Sequence, residues 1–170
     1  DNSKIAFVRD NNLFYVTLSD FKEKPVTKDG KINEIINGAT DWVYEEEFSI
    51  HKGFEWSPDG SKLAYYVFDE TDVKEFQMKM YGTLYPTHYK FKYPKAGEDN
   101  SLISIRIYDT QYDRHFIFDI GNNPDIYIPR IMWSKRKDEL IVFKMNRLQN
   151  KLELLSGTFS MDTPNNIGIK

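Results

Sequence analysis

A repeat limits what this chain can fold into more than any other feature. Asp59-Gly60-Ser61-Lys62-Leu63-Ala64-Tyr65 restates Asp1-Asn2-Ser3-Lys4-Ile5-Ala6-Phe7 almost residue for residue, an Asx turn leading into a strand. Trp56-Ser57-Pro58 precedes the second copy, and a decayed third reads Trp133-Ser134-Lys135-Arg136-Lys137-Asp138-Glu139-Leu140-Ile141-Val142-Phe143. Trp-Ser closing one strand, then a turn, then an apolar strand is how a propeller blade reads in sequence. The copies lie 58 and 77 residues apart, beyond the ~40 to 50 of an ordinary blade, so insertions must occupy the loops.

Strands placed around these marks predict an all-β chain. Ile5–Arg9 and Leu13–Leu18 form a hairpin across Asp10-Asn11-Asn12. Phe54–Trp56, Leu63–Phe68, Leu102–Asp109 and His115–Asp119 make one whole antiparallel blade, residues 54–120. Residues 1–53 hold the end of a preceding blade and an insertion. Residues 121–170 begin a following one with Ile128–Trp133, Leu140–Met145 and Lys151–Leu155. The expected fold is therefore an incomplete β-propeller of four-stranded antiparallel blades, since ring closure takes at least four.

Two insertions carry unusual content. Phe21–Gly53 contains Asp41-Trp42-Val43-Tyr44-Glu45-Glu46-Glu47, read as a short helix capped by Thr40 or Asp41 and anchored by its aromatics. The glutamates fall at its C-terminal end, where the helix dipole and mutual repulsion both oppose them, so a cation is expected nearby. The plain alternative is a solvated acidic face. Asp69–Gly97 is rich in Tyr, Phe, Lys and Pro, and Tyr89-Lys90-Phe91-Lys92-Tyr93 alternates like a half-exposed strand. It is either an arm folded onto its own propeller or one that meets a partner.

The acidic string, Trp56-Ser57-Pro58-Asp59-Gly60, Tyr93-Pro94-Lys95-Ala96-Gly97 and Arg147-Leu148-Gln149-Asn150 stand in the order found in the dipeptidyl peptidase IV family of serine peptidases, whose N-terminal β-propeller the chain resembles over most of its length. The resemblance implies that Glu46 and Glu47 grip the free α-ammonium of a peptide, that Glu45 supports them, and that Phe48 walls the substrate pocket. After the glutamates, Phe48-Ser49 runs one apolar residue short of the mammalian pattern of that family. The same resemblance implies a homodimer through residues 82–97, with Tyr89, Phe91 and Tyr93 at the contact. It further implies a C-terminal α/β-hydrolase domain carrying Ser, Asp and His, cleavage after proline or alanine, and an extracytoplasmic setting, bacterial periplasm or cell surface.

Composition narrows the alternatives. A net charge of −3 over 26 acids and 23 bases argues against nucleic acid. No apolar run approaches the ~20 residues of a membrane span, and Leu102–Ile107 is broken by Arg106. With no cysteine, disulfides and thiolate metal sites are excluded; no Asn-x-Ser/Thr acceptor occurs either. No Gly-x-Ser-x-Gly elbow exists, and His51, His88 and His115 lack metal-ligand spacing. Asp69, Glu70 and Asp72 lack the glycine and ligand spacing of a Ca²⁺ loop. Neither a catalytic residue, a cofactor nor a metal is expected within these residues. The function read from the sequence is substrate recognition for a dipeptidyl peptidase; the alternative is a non-catalytic propeller scaffold. Starting at Asp1, with no leader, the chain reads as part of a longer protein.

Overall fold

The structure, a computed structural model, describes residues 3–159 and the backbone of residues 166–167. The first sheet is β1 (Lys4–Arg9), β2 (Asn12–Thr17) and β3 (Lys22–Pro25), in that order. Arg9 pairs with Asn12, leaving Asp10 and Asn11 as a two-residue turn at φ 51° and 58°. Both types tolerate the left-handed region, and such a turn matches the strand twist. Asn12, expected in the turn, instead begins β2, where its side-chain oxygen accepts from the Gly30 N–H at 2.8 Å and the Thr27 hydroxyl at 3.2 Å. β3 is Lys-Glu-Lys-Pro, wholly exposed. It forms by main-chain pairing to β2 and not by any apolar pattern.

β4 (Ile35–Asn37), α1 (Trp42–Phe48), β5 (Phe54–Trp56) and β6 (Lys62–Asp69) follow. β4 and β5 pair with opposite ends of the same edge of β6, at Val67–Asp69 and Leu63–Tyr65. Between them Gly38 N–H donates to Tyr66 O (2.9 Å), Tyr66 N–H to Gly53 O (2.9 Å), and Gly53 N–H to Gly38 O (3.0 Å). The inner strand is thus split, and the loop carrying α1 leaves and re-enters at a pinch. Glycine is required there: a Cβ on Gly53 would lie 2.7 Å from Ala39 O, and Gly38 sits at φ +74°.

β7 (Glu75–Met80) and β8 (Thr87–Lys92) form a separate two-stranded ribbon, in register from Glu75↔Lys92 to Met80↔Thr87. β9 (Leu102–Asp109) and β10 (Arg114–Phe118) continue the second sheet beyond β6. β11 (Ile126–Trp133), β12 (Glu139–Asn146) and β13 (Leu152–Thr158) make the third, with a register shift between Tyr127 and Arg130. β14 (Asn166–Ile167) runs parallel to β10.

β6 explains why the sheets stack as blades. Its residues are buried on both faces. Leu63, Tyr65 and Val67 join Leu13 and Tyr15 of the first sheet in one core, while Ala64, Tyr66 and Phe68 join Ile128, Ile131, Leu140 and Val142 of the third in another. Strand alternation sends successive side chains to opposite neighbours. Each large apolar side chain so buried contributes roughly 1.5 to 3 kcal/mol. The chain is an incomplete β-propeller of antiparallel blades, with its acidic helix in an insertion.

Candidate functional site

Asp41, and not Thr40, caps α1. Its Oδ1 accepts the Tyr44 N–H at 3.0 Å and its Oδ2 the Ser101 hydroxyl at 2.6 Å. Burial raises the Asp41 carboxyl above its ordinary value, and these hydrogen bonds work against that rise. Thr40 donates across the loop to Ile50 O at 2.6 Å. Ser49, at φ 55°, ends the helix, its N–H returning to Tyr44 O.

Tyr44 is the bolt between helix and blades. Its hydroxyl oxygen accepts the Ile128 N–H at 2.7 Å, while the Tyr66 hydroxyl donates to Ile128 O at 3.0 Å. Its ring centroid lies 4.8 Å from Phe68 and 5.1 Å from Phe48, and Phe48 is 5.4 Å from Tyr127. Burial drives the Tyr44 hydroxyl well above its ordinary range, so it remains a neutral hydrogen-bonding group. On the other side of the helix, Trp42 packs edge-on against Tyr93 at 4.4 Å. A helix of seven residues is marginal by itself. Here it is held from three directions.

Against that fixed frame, Glu45, Glu46 and Glu47 are all exposed. Partial burial of Glu46 and Glu47, the natural expectation for a paired clamp, is not found within this chain. The expected compensating cation is absent too: the last turn holds no basic residue, and among the described residues no Lys or Arg pairs with any of the three. Glu45 has only His51 Nδ1 at 3.6 Å, both groups well exposed. Glu45, expected at the C-terminal end, lies instead in the first turn of the helix, where the dipole favours an acid, whereas Glu46 and Glu47 follow toward its negative end, open to a cation from outside.

A cleft of about 310 Å³ opens beside the helix, lined by Trp42, Glu47, Phe48, Tyr93, Tyr127 and Arg147, among others. It brings Glu47 and Phe48 together and leaves Glu45 and Glu46 outside its lining. Arg147 donates to Asp125 Oδ1 at 3.2 Å and to Glu98 O, tying the β12–β13 turn to the segment after the ribbon. Tyr127 has no local motif that marks it as a cleft residue, and Arg147 stands in the Arg147-Leu148-Gln149-Asn150 string noted above without any sign there that it meets the helix. Among the described residues no group of three or more His, Asp or Glu is placed to hold a metal.

The ribbon differs from expectation in where its apolar surface lies. Tyr93 is engaged inside the chain, by Trp42 and by Phe76 at 5.6 Å, and Phe91 packs on Phe76 at 5.8 Å. Tyr89 is exposed, and the most exposed apolar groups are Tyr81, Leu84 and Tyr85 at the tip. The arm starts at β7, ahead of residue 82, because Glu75–Met80 supplies its first strand.

Residues 1–165 match the family described as Dipeptidyl peptidase IV (DPP IV) N-terminal region. The crystal structure of dipeptidyl peptidase 4 from Porphyromonas gingivalis superimposes with a TM-score of 0.88 at 44% identity, covering 93% of this chain and 23% of that one. The protein named probable dipeptidyl-aminopeptidase B of Podospora anserina is 36% identical over 167 residues, 89% of this chain and 18% of that protein. Venom dipeptidyl peptidase 4 of Vespa velutina is 34% identical over 167 residues, 89% of this chain and 21% of that protein. The chain spans about a fifth of the length of these relatives.

Proposed function

Because this chain belongs to the dipeptidyl peptidase IV family, we propose that it is the substrate-recognition segment of a serine exopeptidase that releases dipeptides, with Glu46 and Glu47 clamping the free N-terminal amine. One observation carries the reading: a short helix bolted down by Asp41, Tyr44 and Trp42 that presents Glu46 and Glu47 without a basic partner among the described residues. Such rigidity has no purpose in a merely solvated acidic face. An ammonium has three donors and no acceptor, so two carboxylates satisfy it by charge-assisted bonds. Held at a fixed point, the amine acts as a ruler that brings only the second peptide bond to a nucleophile. An N-acetylated peptide offers no charge to the acids and is rejected.

In this reading a C-terminal α/β-hydrolase domain supplies Ser, Asp and His, and its surface closes over Glu46 and Glu47, which accounts for their exposure here. Phe48 and Tyr127 line the side of the same cleft. The exposed ribbon pairs two subunits, and the protein works outside the cytoplasm, in a bacterial periplasm or at the cell surface. The test is kinetic. In the intact protein, Glu46→Gln and Glu47→Gln each lower kcat/KM for dipeptidyl substrates at least tenfold, about 1.4 kcal/mol of transition-state binding, because each removes a charged acceptor and keeps the shape. Unchanged kinetics in both variants would leave the propeller as a scaffold without a clamp.

A further inference from the structure

The face of the second blade turned toward the first is not apolar throughout. Register places Tyr65, Arg106 and Ile117 in one row across β6, β9 and β10, and Leu63, Tyr108 and His115 in the next. The inner part of this face, Leu63, Tyr65, Val67 and Tyr108, packs on the first blade. Its outer part does not. There the blades diverge around an open cavity of about 760 Å³, bounded on the first-blade side by residues 24–29 and on the other by Arg106 and His115.

The charges in this cavity do not cancel. Its lining sets Lys24, Lys28 and Arg106 against only Asp29, which accepts from Asn37 Nδ2 at 3.0 Å, and Asp113, which accepts from the Tyr108 hydroxyl at 2.7 Å. Lys24 and Lys28 project from the rim, and among the described residues neither they nor Arg106 forms an ion pair. Arg106 Nε is buried with no hydrogen-bond acceptor. A buried donor on a guanidinium left unpaired is costly, and few such groups persist in folded proteins. The Tyr65 hydroxyl stands 3.2 Å from His115 Nδ1, fixing the ring at the cavity wall. Burial, reinforced by the Arg106 charge, holds His115 below its ordinary value, so at neutral pH it is an uncharged hydrogen-bonding group.

We propose that this inter-blade cavity is a binding site for a small soluble ligand bearing an oxyanion, a phosphate or a carboxylate, seated on Arg106 with Lys24 and Lys28 closing over it. A planar guanidinium matches either group through two parallel N–H donors, and Nε is the donor that such a contact would satisfy. The cavity exceeds a bare ion and admits an organic acid or phosphorylated metabolite. It lies on the opposite face of β6 from the core that anchors α1, and is independent of the amine clamp.

The test is calorimetric titration of the intact protein with inorganic phosphate and, separately, with succinate, against chloride at matched ionic strength. Concentrations stay in the low millimolar range, below that at which phosphate stabilises proteins by exclusion from their surface. Saturable binding of one or both is expected; which one binds identifies the group. Arg106→Gln should abolish it, and Lys24→Gln with Lys28→Gln should weaken it about tenfold, while Glu46→Gln leaves it intact. Should Arg106→Gln not fold, the double lysine variant, whose residues are exposed, decides alone. No saturable binding, or equal affinity in the lysine variant, overturns the proposal.

Discussion

Lys62 Nζ lies 2.7 Å from Asp138 Oδ1 and 3.7 Å from Asp109 Oδ2, a nearly buried ion pair that ties the second blade to the turn of the third. The matching lysine of the first repeat, Lys4, donates to Gly60 O in the turn of the second blade at 3.2 Å. The same repeat position therefore reaches forward into the next blade twice. In the third copy Glu139 stands at this position and turns back to accept from the Ser134 hydroxyl of its own turn at 2.5 Å. Lys62→Met in the intact protein should lower stability by about 3 kcal/mol, because two poorly solvated carboxylates lose their cation. Adding Asp138→Leu should recover much of it, measured by denaturant unfolding. A single-variant loss under 0.5 kcal/mol would make the pair incidental.

Tyr44→Phe keeps the aromatic packing and removes only the acceptor for Ile128 N–H. The stranded donor should cost about 1 to 3 kcal/mol. If Tyr44 also positions the acidic helix, kcat/KM for dipeptidyl substrates falls while activity toward a small activated ester does not. Equal losses on both substrates would mean general destabilisation only.

Glu70 is buried near the helix cap, and burial, with the Asp41 charge adding to it, pushes its carboxyl up to about 7, Lys92 opposing. A carboxyl raised above its unfolded value near 4.5 leaves the folded state binding more protons between those two values. Stability on its account is therefore highest below about pH 4.5, falls as pH rises to about 7, and is flat above. Glu70→Gln should be more stable than the parent protein above pH 7, by up to about 3 kcal/mol at 1.36 kcal/mol per unit, with the advantage vanishing toward pH 4.5. Melting curves of the two proteins from pH 4.5 to 8 provide the check; a pH-independent difference would contradict it.

Replacing Tyr81–Pro86 by a two-residue turn keeps β7 and β8 and removes the most exposed apolar groups of the ribbon. If the ribbon pairs subunits, light scattering should find the mass halved. A dimer that persists at unchanged strength assigns the contact elsewhere.

Where residues speak through local rules, the fold was readable. Asp10-Asn11 dictates its turn by tolerating positive φ, and Phe54–Trp56, Leu63–Phe68 and Leu102–Asp109 carry apolar or β-branched runs that are strands wherever they pack. β3 and β4 were hidden because one is four exposed residues and the other only three, both held by backbone pairing that leaves no side-chain pattern. The capping of α1 was half legible: both Thr40 and Asp41 are competent caps, and only the position of Ser101 and Ile50 divides their roles. The packing of Tyr93 on Trp42 is not legible either, since an alternating strand shows which residues share a face but not what covers it. In the sequence Arg106 is only a break in an apolar run; its cavity depends on how far two blades diverge, a quantity that no single strand encodes.

The pinch at Gly38 and Gly53 separates two kinds of selection. Because the ladder resumes on β6 on either side of it, the fourteen or so residues between can change length or chemistry without altering the pairing of the blade, so long as Asp41, Val43 and Tyr44 keep the helix seated on the core. The blade can be kept for folding while the loop is tuned for what it touches. Exchanging residues 39–52 between relatives should therefore transfer preference for the peptide N-terminus and leave the melting temperature largely behind.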